Sequence, residues 1–277
     1  MSGPNFLIIG AAKAGTTSLY HYLRQHPDVY MSPVKEPAYY ASAGAEAGRH
    51  DGVLTRTAYE RLFEAATTER ARGEASPQYL NDEAAPDRIA ADLPDVRLIV
   101  SLRNPVDRAY SSYLGRLAGG TERRTLDEAL RRGTYYFDSS LYHAPLTRYF
   151  TRFDRARIKV LLFDDLVADA RATVRQLCDF LDIERDFAFD ASARYGSARA
   201  PRSPAVNALF WTLTHTVRRC LPASLRDTGL AGRAQRLLVR PPDPLPAALR
   251  RQLQADFRDD ILRTEALIGR SLAGWLT

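Results

Sequence analysis

The chain has 277 residues, 45% hydrophobic and 26% charged, which supports a large core and excludes a disordered chain. Its formal net charge of +6 suits an anionic partner. The sequence carries no zinc-ligand spacing, RNA-binding aromatic signature or dense Lys/Arg run, so a small, multiply charged nucleotide fits the charge at least as well as nucleic acid.

Only three of the 39 basic residues are lysines: Lys13, Lys35 and Lys159. A compact ammonium in a tight loop is hard to replace by arginine, so Lys13 and Lys35 stand out. Cys178 and Cys220 are expected to be reduced, core-type residues. No apolar run reaches about 18 residues, so no membrane span is expected. Phe6-Leu7-Ile8-Ile9 is too short for a signal core, and a cytoplasmic location is the expectation.

In chain order, Phe6–Ile9 reads as a buried parallel strand ending at Gly10. Thr17–Arg24 has apolar residues at helical spacing after hydroxyl caps, and His26-Pro27-Asp28 stops it. Ala41–Gly52 reads as a surface excursion, Ala58–Ala66 as a short helix, Glu74–Pro77 as a loop and Asp82–Leu93 as a helix. Arg97–Leu102 is a second buried strand, followed by a helix from Val106 to about Leu117 with Pro105 in its first turn. Leu126–Arg131 and Leu141–Phe153 read as helices, Ile158–Phe163 as a third strand and Ala168–Leu181 as an amphipathic helix. Ser192–Pro204 reads as a basic loop, Ala205–Leu221 as a helix whose Arg218 and Arg219 suit weak contact with a membrane surface, and Leu249–Ile268 as the last helix. Alternating strands and helices predict one α/β domain over residues 1–277, with a mostly parallel sheet and helices on both faces.

The segment Gly10-Ala11-Ala12-Lys13-Ala14-Gly15-Thr16-Thr17-Ser18 lies between a strand and a helix, where amides and the helix N-terminus cradle phosphate. Gly10, Gly15 and Thr17 match the Walker spacing, but Thr16 stands where the Walker lysine belongs. The lysine sits inside the loop as Lys13. No strand ends in a convincing acidic ligand for magnesium, so an anion site without a metal ion is expected.

Gly10-x-x-Lys13-x-Gly15-Thr16-Thr17-Ser18-Leu19 resembles the 5′-phosphosulfate loop of sulfotransferases that use 3′-phosphoadenosine 5′-phosphosulfate (PAPS). Val34-Lys35-Glu36-Pro37, Glu74-Ala75-Ser76-Pro77, Arg103-Asn104-Pro105-Val106-Asp107-Arg108-Ala109-Tyr110-Ser111 and the closing Leu272–Leu276 extend the resemblance in the order of the carbohydrate-type and bacterial branches. It implies a P-loop-like fold and sulfuryl transfer from PAPS, with PAP as product and no metal. It implies that Lys13, Ala14, Gly15, Thr16, Thr17 and Ser18 hold the 5′-phosphosulfate, with Lys13 also catalytic. Arg103 and Ser111 would contact the 3′-phosphate, and Glu36 would act as general base on a hydroxyl, or an amine, of the acceptor. Tyr142 matches a tyrosine common in the family, and Arg199 and Arg202 lie in the loop that closes over the nucleotide in relatives. His21 reads as structural, and His143 as a residue that could face the acceptor.

Ala75 and Ala38 stand where glycosaminoglycan-acting relatives often carry Lys and His, and the net charge is modest. A small-molecule or glycan acceptor is expected: a bacterial glycan, a lipid-linked sugar or a secondary metabolite. The alternatives are a P-loop nucleotide kinase or NTPase, opposed by Thr16, and a non-catalytic nucleotide-binding protein, opposed by the intact Lys13, Glu36, Arg103 and Ser111. The oligomeric state is open.

Overall fold

The computed structural model describes residues 3–41, 55–192, 195, 199–203, 206, 207, 209–214 and 238–277. The surface excursion at residues 42–52, Cys220, and the basic positions Arg218 and Arg219 lie outside the described residues. The contacts divide the chain into two compact units.

The first unit comprises Met1–Asn104, Leu141–Gly196 and Asp259–Trp275. Its centre is a five-stranded parallel sheet in the order β2-β3-β1-β4-β5, flanked by helices. The strands are β1 (Phe6–Gly10), β2 (Val29–Met31), β3 (Ala71–Ala75), β4 (Arg97–Leu102) and β5 (Ile158–Leu162). β1 occupies the middle because all five of its residues are buried and none needs water. Phe6 pairs with Gly73 on one side and Arg97 on the other. Gly73 makes room for the neighbouring ring, since a Cβ there would fall 2.3 Å from Phe6 Cζ.

The three strands expected from the apolar runs are present. β2 and β3 are additions: β2 is only three residues long, and β3 contains Arg72, Gly73 and Glu74, so neither shows a bulky apolar run. The loop expected at Glu74–Pro77 is therefore a strand end, Glu74-Ala75, leading into a turn of 3-10 helix at Pro77–Leu80.

The helices of this unit are α1 (Thr16–Leu23), α2 (Arg56–Arg61), α3 (Ala85–Asp92), α7 (His143–Phe150), α8 (Phe163–Ala168), α9 (Ala170–Leu181) and the C-terminal part of α10 (Ala247–Ile268). α9 is capped by the Asp169 side chain, which accepts from the Ala172 amide, and ends at Asp182 in the left-handed conformation. It buries Val174, Leu177, Cys178 and Leu181 against the same core as Leu19, Tyr22 and Leu23 of α1. Cys178 is a free, buried thiol whose pKa burial pushes up to about 11, which fits an inert core residue. Phe163, the expected last residue of the third strand, instead begins α8.

The second unit comprises Pro105–Ser140, Ser197–Arg258 and Leu276–Thr277. It contains α4 (Pro105–Ala118), α5 (Leu126–Leu130), α6 (Tyr135–Asp138), the first part of α10, and a short antiparallel pair, β6 (Ala200–Pro201) with β7 (Val239–Arg240). β6 lies inside the expected basic loop, with Arg199 and Arg202 exposed at its two ends. α5 opens on a capping box of Thr125 and Glu128. Arg108 on α4 is fully buried and donates to the hydroxyls of Ser139 (2.9 Å) and Ser140 (2.7 Å). Asp107 on the same helix pairs with Arg250 of α10 at 2.6 Å.

Candidate active site

All five strands of the main sheet run parallel, so their carboxyl ends share one edge. In open α/β sheets that edge is where ligands bind. Four of the segments singled out in the sequence emerge there: the Lys13 loop after β1, the Glu36 loop after β2, Glu74-Ala75-Ser76 at the end of β3, and Arg103 after β4.

The Lys13 loop is fixed by its neighbours. Ser101 of β4 grips it from two sides: its carbonyl accepts from the Ala11 amide (2.8 Å) and its hydroxyl donates to the Ala14 carbonyl (2.6 Å). Ser101 was not singled out in the sequence, though a lone hydroxyl in an otherwise apolar strand was the signal for it. Lys13 itself is exposed and adopts φ +70°, a left-handed conformation uncommon outside glycine. Gly15 follows at φ +83° and caps α1 with no side chain of its own. The first amides of α1, from Thr16 onward, therefore open toward the loop without intrahelical acceptors, beside buried Thr16 and Ser18 and half-buried Thr17.

A Cβ on Gly15 would lie 2.7 Å from Leu166 Cδ2 and 3.0 Å from Phe163 Cδ2. Gly15→Ala is expected to destabilise the fold by about 1–3 kcal/mol, combining left-handed strain with a clash against α8. Denaturant unfolding checks it; wild-type stability would show that α8 yields freely.

Arg103 leaves β4 half-buried. Its guanidinium donates to the Lys13 carbonyl (3.1 Å) and lies over the Phe163 ring, 4.7 Å from the centroid. Its backbone is clamped by Tyr142, whose hydroxyl donates to the Arg103 carbonyl (2.8 Å) and accepts from its amide (3.4 Å). Asp260 accepts from the amides of Tyr142 (2.7 Å) and His143 (3.1 Å). Phe163, Tyr142 and Asp260 thus form a support behind Arg103, of which only Tyr142 stands out in the sequence. Ser111 is buried on α4 in the second unit, eight positions beyond Arg103 in the chain.

Glu36 sits in the loop after β2 at φ +64°, and Ala38 at φ +55°. Its Oε1 pairs with the Lys35 ammonium, and both side chains are largely shielded. Three hydrogen bonds moor this loop to the end of β3. The Glu36 amide donates to the Ala75 carbonyl (3.1 Å), the Ala38 amide to Ser76 Oγ (3.0 Å) and the Tyr40 amide to the Tyr79 hydroxyl (3.3 Å). Beneath them lies Glu74, fully buried. It accepts from Ser76 Oγ (2.7 Å), from the Tyr59 hydroxyl (3.3 Å) and from Tyr79. Burial pushes its pKa up to about 7, against the pull of those hydroxyls. His21 lies on α1, stacked on Tyr195 at 4.1 Å, and its pKa is lowered by burial and by Arg24 and Lys35. Among the described residues no cluster of His, Cys, Asp or Glu is arranged to hold a metal ion.

The model of the sulfotransferase family matches residues 4–187, about two thirds of the chain and all four carboxyl-edge segments. The chain belongs to the sulfotransferase family. A crystal structure of a sulfotransferase from Alicyclobacillus acidocaldarius superposes with a TM-score of 0.76 and 31% identity, covering 100% of both chains. Among curated proteins, human heparan sulfate glucosamine 3-O-sulfotransferase 6 is 31% identical over 194 residues, which is 66% of this chain and 53% of that protein. The membrane-associated sulfotransferase kil1 of Dictyostelium discoideum is 34% identical over 110 residues, 40% of this chain and 22% of that one. The chain thus spans about half the length of the human relative and less of the amoebal one. Among the described residues, no helix is long and apolar enough to cross a membrane.

Proposed function

We propose that this sulfotransferase transfers the sulfuryl group of PAPS, releasing PAP, to a hydroxyl of a glycan, a lipid-linked sugar or a secondary metabolite, as one functional domain over the whole chain in the cytoplasm. An amine is the variant acceptor. The observation that carries the reading is the loop between β1 and α1, which carries Lys13 and leads through the Gly15 cap into the opening amides of α1 at the carboxyl edge of the sheet.

The residues present fit a phosphosulfate. Loop amides and the hydroxyls of Thr16, Thr17 and Ser18 offer neutral donors, and Lys13 brings a charge. In sulfuryl transfer, as in phosphoryl transfer, the transition state is in line and catalysis is chiefly electrostatic. Charge grows on the bridging oxygen of the leaving nucleotide as its bond to sulfur breaks. An ammonium held there lowers the barrier. Arg103, stacked on Phe163 and braced by Tyr142, would give two parallel donors to the 3′-phosphate, with Ser111 as its second contact. Glu36 would take the proton of the acceptor hydroxyl, with Lys35 orienting the carboxylate. The heparan sulfate relative favours a sugar acceptor.

Thermal-shift measurements with PAP, ADP and ATP–Mg²⁺ test the donor. At a hundredfold excess over Kd a specific ligand adds about 2.7 kcal/mol of stability. PAP without metal is expected to stabilise the protein and ATP–Mg²⁺ hardly at all; the reverse pattern would sink the reading in favour of a nucleotide kinase. Glu36→Gln tests the base: about 10²–10⁴-fold loss of kcat is expected, with PAP binding retained.

A further inference from the structure

We infer that Glu74, fully buried at the end of β3, is a positioning residue that holds the Glu36 loop in its active shape through the hydroxyls of Ser76 and Tyr79. The inference rests on Glu36 being the base. A buried carboxylate inside a sheet needs a reason, because burial of an acid costs free energy that an apolar side chain would not.

The reason lies in the direction of the hydrogen bonds. A hydroxyl carries one proton and two lone pairs. Ser76 gives its proton to Glu74 Oε2 at 2.7 Å, so its lone pairs face the Ala38 amide, which donates at 3.0 Å. Tyr79 is bonded to the same carboxyl, and its oxygen accepts from the Tyr40 amide at 3.3 Å. One buried carboxylate therefore polarises two hydroxyls in the same sense, each receiving a backbone amide two and four residues beyond Glu36. The loop needs such moorings because Glu36 and Ala38 both adopt left-handed backbone angles, at φ +64° and +55°. Non-glycine residues hold these conformations only when the surroundings over-determine them.

Both hydroxyl relays require an ionised Glu74. A protonated carboxyl has one O–H of its own, so one of its three hydroxyl donors must turn away or reverse. The group is faced by Tyr59 of α2, Glu36 and Tyr40 of the loop, Tyr79 of the 3-10 turn and Tyr149 of α7. Ionisation centred near pH 7 makes the mooring sensitive to pH in the working range.

Steady-state kinetics of the full chain with PAPS and a turned-over hydroxyl acceptor test this. Glu74→Gln, which has only one acceptor oxygen, is expected to lower kcat about tenfold, change the KM for PAPS less than about twofold, and remove the fall in kcat as pH drops below about 7. In a Glu36→Gln background it is expected to add little further loss, because both act on one step. Should Glu74→Gln not fold, Ser76→Ala and Tyr79→Phe each cut one relay and are expected to lower kcat several-fold with the KM for PAPS unchanged. A wild-type kcat and pH profile in Glu74→Gln, or in both relay variants, overturns the inference. If Glu36→Gln itself keeps full turnover, the base assignment fails instead, so the two failures are distinguishable.

Discussion

Lys13→Ala is expected to lower kcat by about 10²–10³-fold, the usual cost of removing one preorganised donor from a developing negative charge. Its effect on folding is expected to stay within about 0.5 kcal/mol, because the side chain is exposed and replacements at such positions rarely matter to stability. The left-handed φ of +70° is a property of the backbone that alanine would share with lysine, so the substitution adds no new strain. The loop would stay in place, since Ser101 and Arg103 hold it through the backbone of Ala11, Lys13 and Ala14. Single-turnover assays with labelled PAPS, alongside urea unfolding, separate the two effects. Wild-type turnover would remove Lys13 from the mechanism; a matched loss of stability would recast it as structural.

Stability is expected to fall by an amount on the order of 3 kcal/mol as pH rises from about 4.5 to about 7, through Glu74 alone. The sign follows from the shift. The folded pKa of about 7 lies above the ordinary glutamate value of 4.5, so between them the native state holds a proton that the unfolded chain has released. Stability is greatest below the unfolded value and is lost as pH passes up through the folded one. Glu74→Gln cannot titrate. The difference in unfolding free energy between wild type and variant should therefore shrink as pH rises across this window and level off above about 8. A difference that stays constant with pH would show that Glu74 titrates as an ordinary carboxyl. Together with the proposed role under the Glu36 loop, this describes a group whose ionisation near neutrality comes at a cost in stability, a trade common at functional sites.

The strand-loop-helix that carries Lys13 is legible in its residues. Phe6–Ile9 is apolar on both faces and can only be a buried strand, so the loop after it had to open at the sheet edge. Glycine at position 15, the displaced lysine and the run Thr16-Thr17-Ser18 then predict an anion site from local chemistry. Arg103 was likewise readable as the end of the apolar run Leu98–Leu102. These are short-range features, in which backbone preference and side-chain chemistry agree within about a dozen residues.

The surroundings of Glu36 are not legible in the same way. Glu36 could be named, but not what holds it. β3 shows no strand signal because Arg72, Gly73 and Glu74 break any apolar pattern, and Glu74 reads as a loop carboxylate. Only the parallel pairing of β3 between β1 and β2 buries it and turns its hydroxyl partners toward a loop 38 residues away in the chain. The support behind Arg103 is similar: Tyr142 and Asp260 are separated by 118 residues and meet only in the folded unit. A buried charge owes its place to partners that the chain brings from afar, and no local pattern encodes them. Local sequence chemistry is enough to specify the strand-loop-helix that carries Lys13 and Gly15. The tertiary structure decided which carboxylate is buried, which hydroxyls it orients, and how the loop carrying Glu36 is held.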